Sequence, residues 1–412
     1  MDYDALLSGC CEVGRQLLRC GAEIQRAEDT VCRLLRAYGL EGEVFAIPNC
    51  IWVSVQAPGG RLHAVMRRVP LSAVDIEGIE RFNDLSRQLC AHPPQDPGEI
   101  LDRCRQTRER LACYSIPLRL LGYFLGAFFF ALFFSGGWTE AAAAGLAGLA
   151  CGACLTALDR AGVNPFIATV ASAFVLGGAA CGLAALGAPI STEITVAGGI
   201  MVLVPGLVFT NFMTDLLAGD TVAGLATLAR AVLSAGAIAL GAGTAMSLFQ
   251  GAAPPDPGGA VRYTPLLYCL FAFLGCLGFC APFNVQGVGA LLCCLGGALG
   301  WGVYQLTAAL GGSSFLASLT AAVAVAAYSE AMARARRCPA TSYLVIAMFP
   351  LVPGLTIYQA MNHGLQGNTE LFLETFFRTV GIAGCLALGL LLVSAAMGLR
   401  RPRLCNDSDT KP

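Results

Sequence analysis

The chain has 412 residues, of which 56% are hydrophobic and only 13% charged, and its mean hydropathy is +0.65. A water-soluble globule carries roughly a quarter charged residues, so much of this chain faces something other than water. A formal net charge of −1 predicts no nucleic-acid partner.

Residues 1–114 read like an ordinary soluble segment. Leu6, Leu7, Cys10, Val13, Leu17 and Leu18 recur at helical spacing, and a second helix over 22–38 places Ile24, Val31, Leu34 and Leu35 inward before Gly39 stops it. Residues 44–47, 51–55 and 62–69 read as short strands, with Pro48-Asn49 and Pro58-Gly59-Gly60 as turns. Helices over 74–90 and 97–112 follow, split by Pro93-Pro94. The expectation is a small cytoplasmic α+β domain over 1–114, marginal on its own. Its acidic start, Met1-Asp2-Tyr3-Asp4, is unlike a secretory signal. Glu23, Arg26, Glu28 and Asp29 crowd the second helix, either as an ion-pair cluster meeting the membrane part or a ligand, or as a solvated face. His63 and His92 lack ligand-spaced partners, and no nucleotide loop, hydrolase elbow or metalloprotease motif is present, so neither cofactor nor metal is expected.

From residue 115 long apolar stretches take over. With about twenty residues needed per crossing, spans fall near 117–135, 140–158, 164–187, 190–214 and 223–248, then 265–283, 287–310, 313–333, 340–361 and 375–399. This divides the chain into a first five-helix repeat (115–250), a linker (251–262), a second five-helix repeat (263–403) and a tail (404–412). Arginine placement sets the orientation. With both termini cytoplasmic, Arg103, Arg105, Arg108, Arg110, Arg119, Arg160, Arg334, Arg336 and Arg337 lie inside, as do Arg400, Arg401 and Arg403, and only Arg262 lies outside. A multi-pass protein of the plasma (inner) membrane is expected. Many of the nineteen cysteines, such as Cys276, Cys280, Cys293 and Cys294, sit in apolar runs where they act as small hydrophobes. Cys151-Gly-Ala-Cys154 has redox or metal spacing but lies in an Ala/Gly run that favours helix packing.

The two halves resemble each other. Leu203-Val204-Pro205-Gly206 matches Leu351-Val352-Pro353-Gly354 at an offset of 148, and Gly219, Arg230, Gly236 and Leu240-Gly241 pair with Gly367, Arg378, Gly384 and Leu388-Gly389 in the same register. At an offset of 149, Phe124-Leu125-Gly126 pairs with Phe273-Leu274-Gly275, Phe134 with Phe283, Phe166 with Phe315 and Ala168 with Ala317. A repeat of five spans enters the membrane upside down the second time, the architecture of many secondary transporters, whose substrate lies near the midplane between repeats.

Proline removes a helix bond and glycine eases unwinding. Pro205-Gly206 and Pro353-Gly354 therefore predict interruptions of the fourth and ninth spans, whose freed backbone groups either line a cavity or mark a packing kink. Thr210, Asn211, Thr214 and Asp215 follow the first break; Thr356, Tyr358, Gln359 and Asn362 follow the second. These can hydrogen-bond a zwitterion or carboxylate, which makes Pro205, Gly206, Thr210, Asn211, Pro353, Gly354, Tyr358 and Gln359 the substrate-site candidates. Asp215, Asp220 and Glu330 are candidates for coupling to protons, or else solvated boundary carboxylates. The matched Arg230 and Arg378 each serve either as a structural salt bridge to a carboxylate or as a charge for an anionic substrate group.

At these residues the sequence resembles the threonine/serine exporter family in its fused two-unit form. Gly21-Ala22-Glu23-Ile24-Gln25-Arg26-Ala27-Glu28-Asp29-Thr30 looks like the signature near the start of that family's N-terminal domain, and marks Arg26 and Glu28. Val204-Pro205-Gly206 with Asn211, Asp215 and Gly219-Asp220 looks like the end of its first membrane unit, and Leu351-Val352-Pro353-Gly354 with Tyr358 like its second. The resemblance implies export of threonine and serine driven by the proton-motive force, or of succinate in relatives. The expected partners are a small-molecule substrate, protons and membrane lipid, with a homo-oligomer left open. A membrane-embedded hydrolase and a passive channel are the rivals; no nucleophile–base arrangement supports the first.

Overall fold

Helix α1 (Tyr3–Arg19) starts where the Asp2 carboxylate accepts from the N–H groups of Asp4 and Ala5, both at 3.0 Å. The computed structural model describes residues 2–398 apart from 58, 71–73, 204–207, 209–211, 214, 218, 220, 250–260 and 366, with backbone alone at 362, 365 and 398. Leu6, Leu7, Cys10, Val13 and Leu17 form the fully buried stripe of α1, packed on α2 (Ile24–Ala37) and on a three-stranded antiparallel sheet in the order β1-β2-β3. The strands are β1 (Gly42–Ile47), β2 (Cys50–Gln56) and β3 (Leu62–Arg68). Side chains alternate across a strand, so Ile51, Val53 and Val55 are buried while the cross-strand row Phe45–Trp52–Met66 faces outward. Helices α3 (Ile76–Ala91) and α4 (Glu99–Glu109) complete this N-terminal unit. Burial pushes the Cys20 and Cys104 thiols up to about 12, which leaves them protonated.

The apolar part contains α5 (Ile116–Phe133), α6 (Trp138–Arg160), α7 (Pro165–Ala185), α8 (Thr192–Ile200) and α9 (Thr221–Leu248). After the linker come α10 (Pro265–Cys280), α11 (Val288–Ala309), α12 (Ser314–Arg336), α13 (Thr341–Ala347), α14 (Gly354–Leu365) and α15 (Thr369–Gly398). Among the described residues, seven helices are long and apolar enough to cross a membrane: α5, α6, α7, α9, α11, α12 and α15. The chain is a multi-pass helical membrane protein. Of the remaining stretches read from the sequence as spans, α10 is apolar but has 16 residues, a rise of about 24 Å against a core of about 30 Å. The stretch over 340–361 is not one rod: α13 ends at Ala347 and α14 begins at Gly354.

Neighbour relations repeat between the halves. Helices α5, α6, α7 and α9 pack in succession, with α8 against α6; α10, α11, α12 and α15 pack likewise, with α13 against α11. Close glycine contacts repeat too. A side chain on Gly241 would strike Val170, Ala173 and Phe174, and one on Gly389 would strike Leu319, Ala322 and Val323, the same positions one repeat later.

The halves meet along α5 and α10, which run antiparallel. A Cβ on Gly126 would lie 2.5 Å from the Phe279 ring, and one on Gly275 would lie 2.8 Å from the Phe130 ring. Gly275 follows Gly126 by 149 positions, as Phe279 follows Phe130. The contact is therefore reciprocal. Its ends are reciprocal as well: Tyr114 Oη donates to the Val285 carbonyl (3.0 Å), and Tyr263 Oη donates to the Gly136 carbonyl (2.8 Å), again 149 positions apart on both sides. Ser135 and Asn284, also counterparts, both take positive φ (68° and 54°) in the turns that follow these helices.

Candidate functional site

A cavity of about 370 Å³ opens at the Gly136 end of this seam. Phe133, Phe134 and Ser135 enter it from the end of α5, Met201 from just past α8, and Trp301 from α11. The far wall is the break itself, with Phe349, Pro350, Val352 and Pro353, followed by Leu355 and Thr356 of α14. Pro353 directly precedes α14, where its missing N–H costs nothing. Aromatic rings fix the wall: Phe133 meets Trp301 edge-on at 4.5 Å, and Trp301 stacks on Tyr304 at 4.8 Å.

Among the described residues, the polar groups that line the cavity are few and neutral. Ser135 Oγ lies 2.8 Å from Tyr268 Oη. Thr379 Oγ1 donates to Thr356 Oγ1 (2.9 Å), and Thr356 donates on to the Pro353 carbonyl (2.9 Å). Such a pocket suits a small solute held by hydroxyls and backbone carbonyls between apolar walls. Among the described residues no group of His, Cys, Asp and Glu comes together that could hold a metal ion.

A threonine/serine exporter family model matches residues 8–249, and a second model of the threonine/serine exporter, ThrE, matches residues 268–396. The chain belongs to the threonine/serine exporter family. It is 26% identical over 365 residues to a threonine/serine exporter of Corynebacterium glutamicum, covering 82% of this chain and 72% of that protein. No solved structure matches the chain.

Within this family member the sequence-read residues are dispersed. Pro353 lines the cavity and Gly354 is buried directly behind it. Tyr358 points elsewhere: it is buried among Ala147, Leu176, Val196, Ile238 and Ala242 of the first half, with its hydroxyl 3.7 Å from Met246 Sδ. Gln359 is half-buried and outside the cavity lining. Pro205, Gly206, Thr210, Asn211 and Asp220 lie outside the described residues. Asp215 is half-buried and accepts from Thr227 Oγ1 (3.3 Å). Glu330 faces Arg334 at 3.9 Å, a partly exposed pair one helical turn apart.

Arg230 in α9 and Arg378 in α15 are both exposed, and neither forms an ion pair among the described residues. In the N-terminal motif, Glu28 Oε1 accepts from the Ala46 N–H (2.7 Å), which pins α2 to β1. Arg26 is half-buried, with its Nε lacking a hydrogen-bond partner among the described residues. Glu23 reaches the membrane part, accepting from Thr341 Oγ1 at 3.2 Å.

Sequence reasoning missed Phe133, Ser135, Trp301 and Phe349, because aromatic and serine residues in apolar runs carry no distinctive spacing. Tyr114 and Tyr263 were within reach, since extending the 149-residue register upstream pairs them.

Proposed function

We propose that this chain exports threonine and serine across the plasma membrane as a proton-coupled secondary transporter, built from two inverted five-span repeats with both termini in the cytoplasm. The cargo rests on family membership, which extends over both halves. The mechanism rests on the α5/α10 seam. Two antiparallel counterpart helices with reciprocal contacts define a two-fold axis perpendicular to the helices, hence lying in the membrane plane. Exchange of conformations about that axis converts a cavity open to one side into one open to the other. The arginine distribution supports cytoplasmic termini, and the cavity then opens outward beside the break at Pro353.

Asp215 is the favoured proton carrier: it is half-buried, near a membrane boundary, and its counterpart position is His363, so only one half carries the carboxylate. Neither family match favours a dicarboxylate cargo.

Reconstituted vesicles loaded with labelled threonine or serine test this reading, with and without an imposed pH gradient. Efflux should accelerate several-fold with the gradient and collapse with an uncoupler. Flux indifferent to the gradient would point to a passive channel. Asp215→Asn should abolish the gradient response in folded protein; an unchanged response removes Asp215 from the coupling.

A further inference from the structure

The N-terminal unit is joined in sequence to the first half of the membrane part, and β1 packs against α9 there, yet the hydrogen bonds that fasten it run to the second half. At the start of α3, the N–H groups of Ile76 and Glu77 donate to the carbonyls of Phe283 and Asn284 (3.1 and 3.2 Å), just past the end of α10. The Asn284 amide donates in return to Asp75 Oδ1 at 2.8 Å, the same oxygen that caps α3 through the Gly78 N–H. A helix start leaves N–H groups unpaired and a helix end leaves carbonyls unpaired, so these two termini satisfy each other with their dipoles head to tail. A second attachment lies at the corner between α12 and α13. There Arg87 Nη1 donates to the Arg337 carbonyl (2.6 Å) and Thr341 Oγ1 donates to Glu23 (3.2 Å).

These attachment points have meaning in the repeat. Phe283 and Asn284 are the counterparts of Phe134 and Ser135, which line the cavity at the opposite end of the seam. One end of the molecule thus presents these turn residues to a cavity, while at the other end they carry a docked helix. The extra unit breaks the two-fold relation at the place where a second mouth would form.

We propose that the N-terminal unit is a latch, which holds shut the mouth that corresponds to the cavity and must lift from Phe283 and Asn284 before substrate enters from that side. The inference rests on the transport reading above for its functional consequence, but the latch itself is a structural equilibrium. Weakening it raises the fraction of carriers able to bind substrate at the latched mouth. The apparent KM on that side falls by the same factor, while the maximal rate need not change.

The double variant Arg87→Ala, Thr341→Val removes the two corner bonds and leaves the buried cores alone. In the full chain, amide hydrogen exchange at Ile76 and Glu77 should speed up by about fivefold to 150-fold, as expected for two net hydrogen bonds. In vesicles, the KM for threonine on the latch side should fall by a similar factor. Unchanged exchange, or faster exchange with unchanged KM in an active carrier, overturns the latch. Faster exchange with no threonine flux even in the parent chain would leave the latch standing and defeat the transport reading instead. A second variant, Asp75→Cys with Asn284→Cys, is oxidised to tie the latch down. Efflux should drop at least about tenfold and return with reductant, against an oxidised parent control. A cross-linked carrier that exports at the parent rate overturns the proposal.

Discussion

Phe130 and Phe279 stack with ring centroids 5.3 Å apart and planes 23° from parallel, and each ring lies against the glycine four residues before the other. Because the two residues are repeat counterparts, a single geometric solution is used twice in one contact. Side chains are kept out of the seam so that backbones can approach, as small residues allow between membrane helices.

Gly278 tests how tight that approach is. A Cβ there falls against the backbone N and Cα of Gly126, neither of which can rotate away. Gly278→Ala should therefore cost about 1–3 kcal/mol and lower the thermal midpoint of the detergent-solubilised protein. Gly236→Ala, with nothing within 4 Å of the new atom, should leave the midpoint unchanged or raise it. Equal tolerance of both substitutions would contradict the close-packed seam.

The paired tyrosines make a quantitative comparison available. Tyr114→Phe and Tyr263→Phe each delete one hydroxyl-to-carbonyl bond at opposite ends of the seam. Each should cost about 0.5–1.5 kcal/mol, and the double variant should lose the sum, since the sites are far apart. Unequal losses would show that the two ends are not energetically equivalent, whatever their geometry.

Glu80 gives the docked N-terminal unit a pH dependence. Burial pushes its carboxyl above the ordinary 4.5; Ser342 and Arg336 of the membrane part pull it back, and Glu77 and Asp84 push it further up. The unfolded chain then releases this proton at lower pH than the folded one. As pH rises from about 4.5 through the raised folded value, this contribution to stability falls, and above that value it levels off. Glu80→Gln should flatten that slope and stabilise the protein near neutrality. Matching pH profiles of thermal stability for parent and variant would remove Glu80 as the source.

Glu28 should prove structural. Its carboxylate accepts from a backbone N–H of the buried residue Ala46, so Glu28→Ala leaves that donor in need of a partner, at about 1–3 kcal/mol. Hydrogen exchange in β1 of the full chain should accelerate while α9 stays protected. Undisturbed exchange at Ala46 would refute this role.

Much of the helical layout was legible because membrane spans are a length-and-composition signal: residues 140–158 and 223–248, read as apolar runs, emerge as α6 and α9 with ends moved by about two residues. The 149-residue register read around Gly126 and Gly275 reappears in the α5/α10 contacts, whereas Pro205-Gly206, the first member of the Pro-Gly match, lies outside the described residues. Site membership was much less legible. Tyr358 and Thr356 sit two residues apart on α14, and a helix turns them to different sides, one into the first half's core and one into the cavity. Sequence spacing near a broken helix does not say which side faces the solute. The docking of Asp75 on Asn284 spans more than two hundred positions, and nothing local in either stretch announces it.

The seam's construction bears on the exchange of conformations proposed above. Two flat rings and a few bare backbone segments form a bearing with no long side chains to disengage. Rocking by some degrees slides ring over ring without exposing an unpaired donor. The centre can then stay dry throughout a stroke, and the work of each cycle falls on the rims.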